Sequence, residues 1–295
     1  MRRILVFVAL VLVATVLPLY AAGMSTVGLS ISTLNNPFFV DLRDGAKAAA
    51  TKVKVDLIVL DAQNDPAKEA SGIEDLIQKK VSVIAINPTD SDAIVPTIKK
   101  INAAKIPVIT VDRGANGGDV VAHIASDNVA GGMMAAEYVA KRLGGKGNVV
   151  MLEGIAGTSA ARDRGKGFRD GLKKYPGIKI VASQTADFDR AKGLNVMQNI
   201  LQAQKKIDAV FAQNDEMALG AIQAIEAAKR QKEMFVVGFD AIGDALAAVK
   251  AGKMAATIAQ QPKEMGRLAV ETAVKVINKR SVPKFTPVPL KLITK

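Results

Sequence analysis

The chain has 295 residues, of which 49% are hydrophobic and 23% charged, the composition of a globular protein with a sizeable core. Disorder is excluded as its main state, and two domains are the first expectation. Without cysteine and with His123 as its one histidine, the chain has no disulfide framework, thiolate metal site or thiol nucleophile, and little room for a Ser/His/Asp relay. A net charge of +12 invites a nucleic-acid reading, but the lysines and arginines are scattered among acids and only 4% of residues are aromatic. A solvated basic surface accounts for the charge better, and no nucleic-acid partner is expected.

The amino end reads as a targeting segment. Met1-Arg2-Arg3 precedes an uncharged, almost wholly apolar run from Ile4 to Leu19 and then the small residues Ala21-Ala22-Gly23. Positive, apolar and small in that order is a secretory signal peptide, and the apolar run falls short of the ~20 residues that cross a bilayer as a helix. Cleavage after Gly23 is favoured, because cleavage after Ala22 would put bulky Tyr20 at the outer recognition position. With no cysteine there for acylation, an exported and soluble product is expected.

From Thr26 short β-branched runs alternate with longer segments of helical period. The first series reads strand Val27 to Ile31, helix Pro37 to Val53, strand Val55 to Leu60, helix Pro66 to Lys80 capped from Asn64-Asp65, strand Val81 to Ile86, helix Ser91 to Ala104, and strands Val108 to Val111 and Val120 to Ile124. A second series follows: helix Asp127 to Leu143, strand Asn148 to Leu152, helix Ser159 to Lys174, strand Lys179 to Ser183, helix Arg190 to Gln204, strand Ala209 to Phe211, helix Glu216 to Lys229 and strand Phe235 to Phe239. A short helix at Ala245 to Ala251, strand Ala255 to Ala259, helix Pro262 to Asn278 and an extended tail complete the chain. The alternation predicts an α/β protein of two similar halves, each a doubly wound parallel sheet; one eight-fold barrel is the alternative.

Ligands of open α/β sheets bind beyond the carboxyl ends of the strands. The residues there are Ser32, Asn36, Phe38 and Phe39 after the first strand, Asp112-Arg113 after Val111, Phe188 within Ala186 to Arg190, Asn214 within Gln213 to Glu216, Asp240, Gln260, and Arg162 and Arg164 in the helix beginning at Ser159. These are planar polar groups and aromatic faces. Asp accepts from sugar hydroxyls, Arg, Asn and Gln bond in fixed planes, and Phe covers the C–H face of a ring. Two acids and two arginines nearly balance in charge, which suits a neutral polyol.

Blander readings stand beside these. Polar residues end strands in any α/β protein, and Phe38 and Phe39 are as readily core residues, although two adjacent residues cannot share one core face. Asp127, Asp187 and Asp189 read as helix caps, His123 as a structural residue near a domain crossing, Gly131-Gly132 as close packing and Gly144-Gly145 as a helix stop. No phosphate loop or dinucleotide fingerprint is present, Gly165-Lys166-Gly167 lies inside a helical pattern, and Asp90-Ser91-Asp92 lacks the glycine and distal glutamate of a calcium loop. Asp112 and Asp240 as a glycosidase pair is disfavoured, and no catalysis, cofactor or metal is expected.

Seven segments in this order, Ser32 to Phe39, Asn87 to Asp92, Ile124 to Asn128, Gly157 to Arg162, Ala186 to Arg190, Ala212 to Gly220 and Ala255 to Gln260, closely resemble the periplasmic ribose-binding family of bacterial ABC sugar importers, a type 1 periplasmic binding protein family. The resemblance covers essentially the whole chain after the leader. It implies sugar contacts at Ser32, Asn36, Phe38, Phe39, Asp112, Arg113, Arg164, Phe188, Asn214, Asp240 and Gln260, with Phe239 supporting the ring wall. It further implies two lobes joined by a three-segment hinge near Ser126-Asp127, Gln260-Gln261 and Pro289-Leu290. Residues 1–23 are then the signal peptide, 24–126 plus 261–289 the N-terminal lobe, and 127–260 plus 290–295 the C-terminal lobe.

By the same resemblance a monomeric periplasmic receptor captures D-ribose between its lobes and delivers it by closure to a membrane permease, and in some members to a chemoreceptor. A receptor for another pentose, a hexose or a furanose-like signal molecule is the alternative. In a different class stands a sugar-responsive regulator of the lac-repressor type, which would lack its DNA-binding head here. One departure matters: the family usually continues Gly-Phe-Asp with glycine, whereas this chain reads Gly238-Phe239-Asp240-Ala241. If the loop needs positive φ, alanine strains it and displaces Asp240, and sugar is expected to bind less tightly than with glycine.

Overall fold

The computed structural model describes residues 25–295; the expected signal peptide and its cleavage site lie outside the described residues. Among the described residues no helix is long and apolar enough to cross a membrane. In chain order the elements are β1 (Thr26–Ile31), α1 (Pro37–Val53), β2 (Asp56–Asp61), α2 (Pro66–Gln78), β3 (Val83–Ile86), α3 (Val95–Ala103), β4 (Val108–Val111), β5 (Ala122–Ala125), α4 (Asn128–Arg142), β6 (Lys146–Glu153), α5 (Ser159–Leu172), β7 (Gly177–Thr185), α6 (Arg190–Ala203), β8 (Ala209–Ala212), α7 (Asp215–Ala227), β9 (Phe235–Asp240), α8 (Gly243–Ala251), β10 (Ala256–Ala259), α9 (Pro262–Ile277), β11 (Phe285–Pro287) and β12 (Lys291–Thr294).

The strands form two open sheets of six, ordered β11-β5-β4-β3-β1-β2 and β12-β10-β9-β8-β6-β7. This excludes the single barrel. Central strands β3, β4 and β8 are buried along their whole length, as sheets covered on both faces require. The chain passes from one sheet to the other between β5 and α4, between β10 and α9, and between β11 and β12.

Three differences from the expected elements have local causes. Residues 91–94 form a turn rather than the start of α3, because Asp90 Oδ1 accepts the amides of Asp92 and Ala93, both at 2.8 Å, and α3 begins only at Val95. The tail is two short strands, and β12 runs antiparallel to β10, so the second sheet is parallel except at this edge. Asp127 and Asp189 cap α4 and α6, but Asp187 does not cap; it accepts the Thr185 hydroxyl at 2.8 Å and pairs with Lys192.

Helices pack in pairs at mutual glycines. A Cβ on Gly45 or Gly266 would stand 2.1 or 1.9 Å from backbone oxygens across the α1/α9 crossing, and one on Gly132 or Gly167 2.2 or 2.0 Å across α4/α5. Only glycine permits so close an approach. These crossings fix the helices that carry Phe38, Phe39 and Arg164. His123 sits on β5, with Nδ1 2.9 Å from the Thr110 hydroxyl and its ring stacked on Phe285 of the paired β11.

Candidate functional site

The carboxyl ends of both sheets face one cleft, and there Phe38, Phe39, Asp112, Arg113, Ala160, Arg164, Phe188, Asn214, Asp240 and Gln260 line a cavity of about 240 Å³. Nine of the twelve expected site residues share this lining. The other three stand behind it. Ser32 donates its amide and hydroxyl to Asn87 Oδ1 at 3.2 and 2.7 Å, Asn36 spends Oδ1 on the Phe38 amide as cap of α1, and Phe239 lies fully buried under the Arg164 guanidinium, 3.9 Å from its ring centre.

Each polar group of the lining is held from behind. Asp112 Oδ2 accepts Asn87 Nδ2 at 3.1 Å; Arg164 donates to Asn128 Oδ1 at 2.8 Å and to the Gln213 carbonyl at 2.7 Å; Asn214 caps α7 and donates to the Phe188 carbonyl. Gln260 donates to Asp240 Oδ1 at 2.9 Å, and Arg164 stands 3.6 Å from the same oxygen. The aromatic faces are fixed by the cations: Arg113 lies over Phe39 and, across the cleft, over Phe188, at 5.1 and 5.4 Å. Asp112 Oδ1, Arg113 Nε and Gln260 Oε1 are buried without a hydrogen-bond partner in the protein. Buried polar atoms left so cost about 1–3 kcal/mol each, so convergent unpaired donors and acceptors mark a place built for a polar ligand.

The site is strained where it is most polar. Asp112 has φ 61°, Phe188 58°, Asp240 118° and Ala241 61°. Non-glycine residues persist there only where the surroundings over-determine them, and the strain gathers around binding positions. The loop at Ala241 thus needs the positive φ on which the expected strain depended, yet Asp240 is not displaced: it reaches Gln260 and Arg164.

Burial also shapes the electrostatics. It pushes the Asp112 carboxyl above its ordinary range against the pull of Arg113 and Arg164, and Asp240 up to about 7 against the pull of Arg164. Burial lowers Arg113 to about 10, with Asp112 opposing. Two further buried carboxyls stand outside the lining. Glu69 on α2 accepts the Thr89 amide and hydroxyl and is raised to about 7 by burial, and Asp215 on α7 is raised by burial and by Asp240.

Asn87, Asn128, Gln213, Asp215 and Glu69 are the supporting residues; Gln213 and Asp215 flank Asn214 at the strand end, whereas Asn87, Asn128 and Glu69 are not among the expected contacts. Asn87 and Gln213 each directly follow a strand, and the two play matching parts. Asn87 Oδ1 accepts the Ser32 amide after β1, as Gln213 Oε1 accepts the Gly154 amide after β6. Glu69, on a helix among other polar residues, carried no local signal.

The two lobes meet over the cavity. Ser91 donates its amide to the Gly157 carbonyl at 2.9 Å, Gly114 its amide to the Ser159 hydroxyl at 2.8 Å, and Arg162 to Asn116 Oδ1 at 3.3 Å. The cleft is therefore closed, and a ligand in the cavity touches both sides.

Comparison with known proteins agrees with this architecture. A family model described as periplasmic binding protein domain matches residues 27–281. The chain is 51% identical over 295 residues to the ribose import binding protein of Salmonella typhimurium, covering 100% of this chain and 99% of that one. It is 49% identical to the ribose import binding protein of Bacillus subtilis over 91% of this chain and 87% of that one. An ABC transporter solute binding protein from Bacillus halodurans, solved with bound myo-inositol, superposes with a TM-score of 0.88 at 35% identity, covering 92% of this chain and 95% of the other. With its two parallel-sheet α/β lobes and their common cleft, the chain belongs to the periplasmic binding protein family, among the sugar-binding components of ABC importers.

Proposed function

We propose that the chain is the non-catalytic receptor of an ABC importer that captures D-ribose between its lobes. The observation that carries this reading is the small closed cavity in which Asp112, Arg113, Arg164, Asn214, Asp240 and Gln260 converge between phenylalanine faces, with unpaired polar atoms directed at one place. Near-balance of cations and ionisable acids favours a neutral sugar over an anion, which would call for surplus positive charge. The ribose import binding proteins among its relatives select the pentose.

In this reading residues 24–126 plus 261–289 form one lobe and 127–260 plus 290–295 the other, and the segments between the sheets serve as the hinge. Ser32, Asn36 and Phe239 complete the site, the first two through Asn87 and the start of α1, the third as a floor for Arg164. Sugar stabilises closure because it binds both sides, and the closed monomer then docks on a membrane permease, with a chemoreceptor as a further partner. Residues 1–23 direct export and are removed.

Titration calorimetry and thermal shift of the mature protein with D-ribose, other pentoses, D-allose and myo-inositol test the assignment. A specific ligand at 100 times its Kd adds about 2.7 kcal/mol of stability. A shift with D-ribose at lower concentration than with the others is expected; no response to any pentose overturns the reading.

A further inference from the structure

Asp215 lies next to Asn214 of the cavity lining, at the start of α7, fully buried and away from the cavity. Its Oδ2 accepts the Ile242 amide at 3.0 Å and its Oδ1 the Thr257 hydroxyl at 2.8 Å. That hydroxyl oxygen in turn accepts the Ala241 amide at 3.2 Å. The bonds enclose Asp240 and Ala241, two consecutive non-glycine residues of positive φ. Gly238 makes the room: a Cβ there would stand 2.1 Å from Asp215 Oδ1. A buried carboxyl away from the ligand is costly, but its two oxygens can hold an amide and a hydroxyl at once where apolar packing would hold neither.

We propose that Asp215 is a positioning residue: through Ile242 and, by way of Thr257, through Ala241, it clamps the positive-φ turn that stands Asp240 in the cavity beside Gln260 and Arg164, and so sets sugar affinity without touching the sugar. The inference rests on the sugar-binding reading of the cavity. It explains how alanine is tolerated where glycine is the easier residue: the clamp supplies the constraint that alanine resists.

Calorimetry with D-ribose on the mature protein tests it, with wild type as the first arm. A wild type that binds no sugar removes the sugar reading and this one with it; a binding wild type with unaltered variants removes the clamp alone. Asp215→Asn should lose about tenfold or more in affinity at a temperature where circular dichroism and its melting curve show it folded. Adding Ala241→Gly to Asp215→Asn should recover about threefold or more, because glycine holds positive φ unaided, whereas Ala241→Gly alone should change affinity by less than about threefold. Thr257→Val should repeat the pattern, and it carries the test if Asp215→Asn does not fold. An Asp215 that only supports the fold lowers the melting temperature and leaves affinity unchanged. That result, or a loss that Ala241→Gly does not recover, overturns the proposal.

Discussion

Replacing Gly157 with alanine should hold the cleft open without touching the cavity. A Cβ on Gly157 would stand 1.6 Å from Asp90 Oδ2 on the opposite lobe. Asp90 cannot turn aside freely, because its other oxygen accepts the amides of Asp92 and Ala93, both at 2.8 Å. The lobes must either break those two bonds, at about 1 kcal/mol each, or separate and lose the Ser91 to Gly157 bond together with ligand contacts. The closed state then loses about 2–3 kcal/mol. Apparent affinity falls with the fraction that can close, so Kd should rise about 30- to 150-fold. Calorimetry with the sugar measures the loss, and small-angle scattering at saturating wild-type concentration should find the variant more extended. Melting of the sugar-free protein should change little, and Asp90→Ala in the same chain should restore much of the affinity. A Gly157→Ala protein that binds within about threefold of wild type would refute the reasoning.

Arg164→Ala should weaken sugar binding more than about 100-fold by calorimetry, since it removes charge-assisted bonds and leaves Asp240 buried without its cation; near-normal affinity would contradict the assignment. Glu69 has its folded pKa raised from 4.5 to about 7, so its contribution to stability is full below about pH 4.5 and is lost as pH rises through about 7. Denaturant unfolding should therefore show wild type losing up to about 3 kcal/mol more than Glu69→Gln between about pH 4.5 and about pH 8, and parallel curves would count against it. Ala241→Gly should raise stability by up to about 1 kcal/mol in the same assay, because relief of the left-handed strain exceeds the added chain entropy. A lower stability in that assay would show that φ at 241 carries no strain.

Much of this molecule is legible in one sequence because its signals are local. Pro37 opens α1 where the apolar period begins, Asp65 and Asp127 cap the helices that follow them, and the fully buried strands β3, β4 and β8 read as short, almost wholly apolar runs. Because ligands gather beyond strand ends, nine cavity residues are marked by their places after strands alone, independently of how the lobes meet. What escaped depends on tertiary placement. Glu69 acts across α2 on Thr89, far along the chain, and the turn at Asp90 is an aspartate choosing its own neighbours' amides over a helix. The two tail strands are too short, and too interrupted by Pro287 and Pro289, to show a period of two.

The exchange of chain between the sheets governs the order in which the molecule can assemble. The first sheet begins at β1 yet receives α9 on its face and β11 at its edge from the far end of the chain, while the second is closed at its edge by β12. Neither hydrophobic core is complete until almost the last residue has joined, so a chain still being synthesised holds no finished lobe until its carboxyl end is made. A chain ended at Asn278 should accordingly be digested readily by protease over both halves, whereas independent folding of either half would show that its lobe does not need the tail.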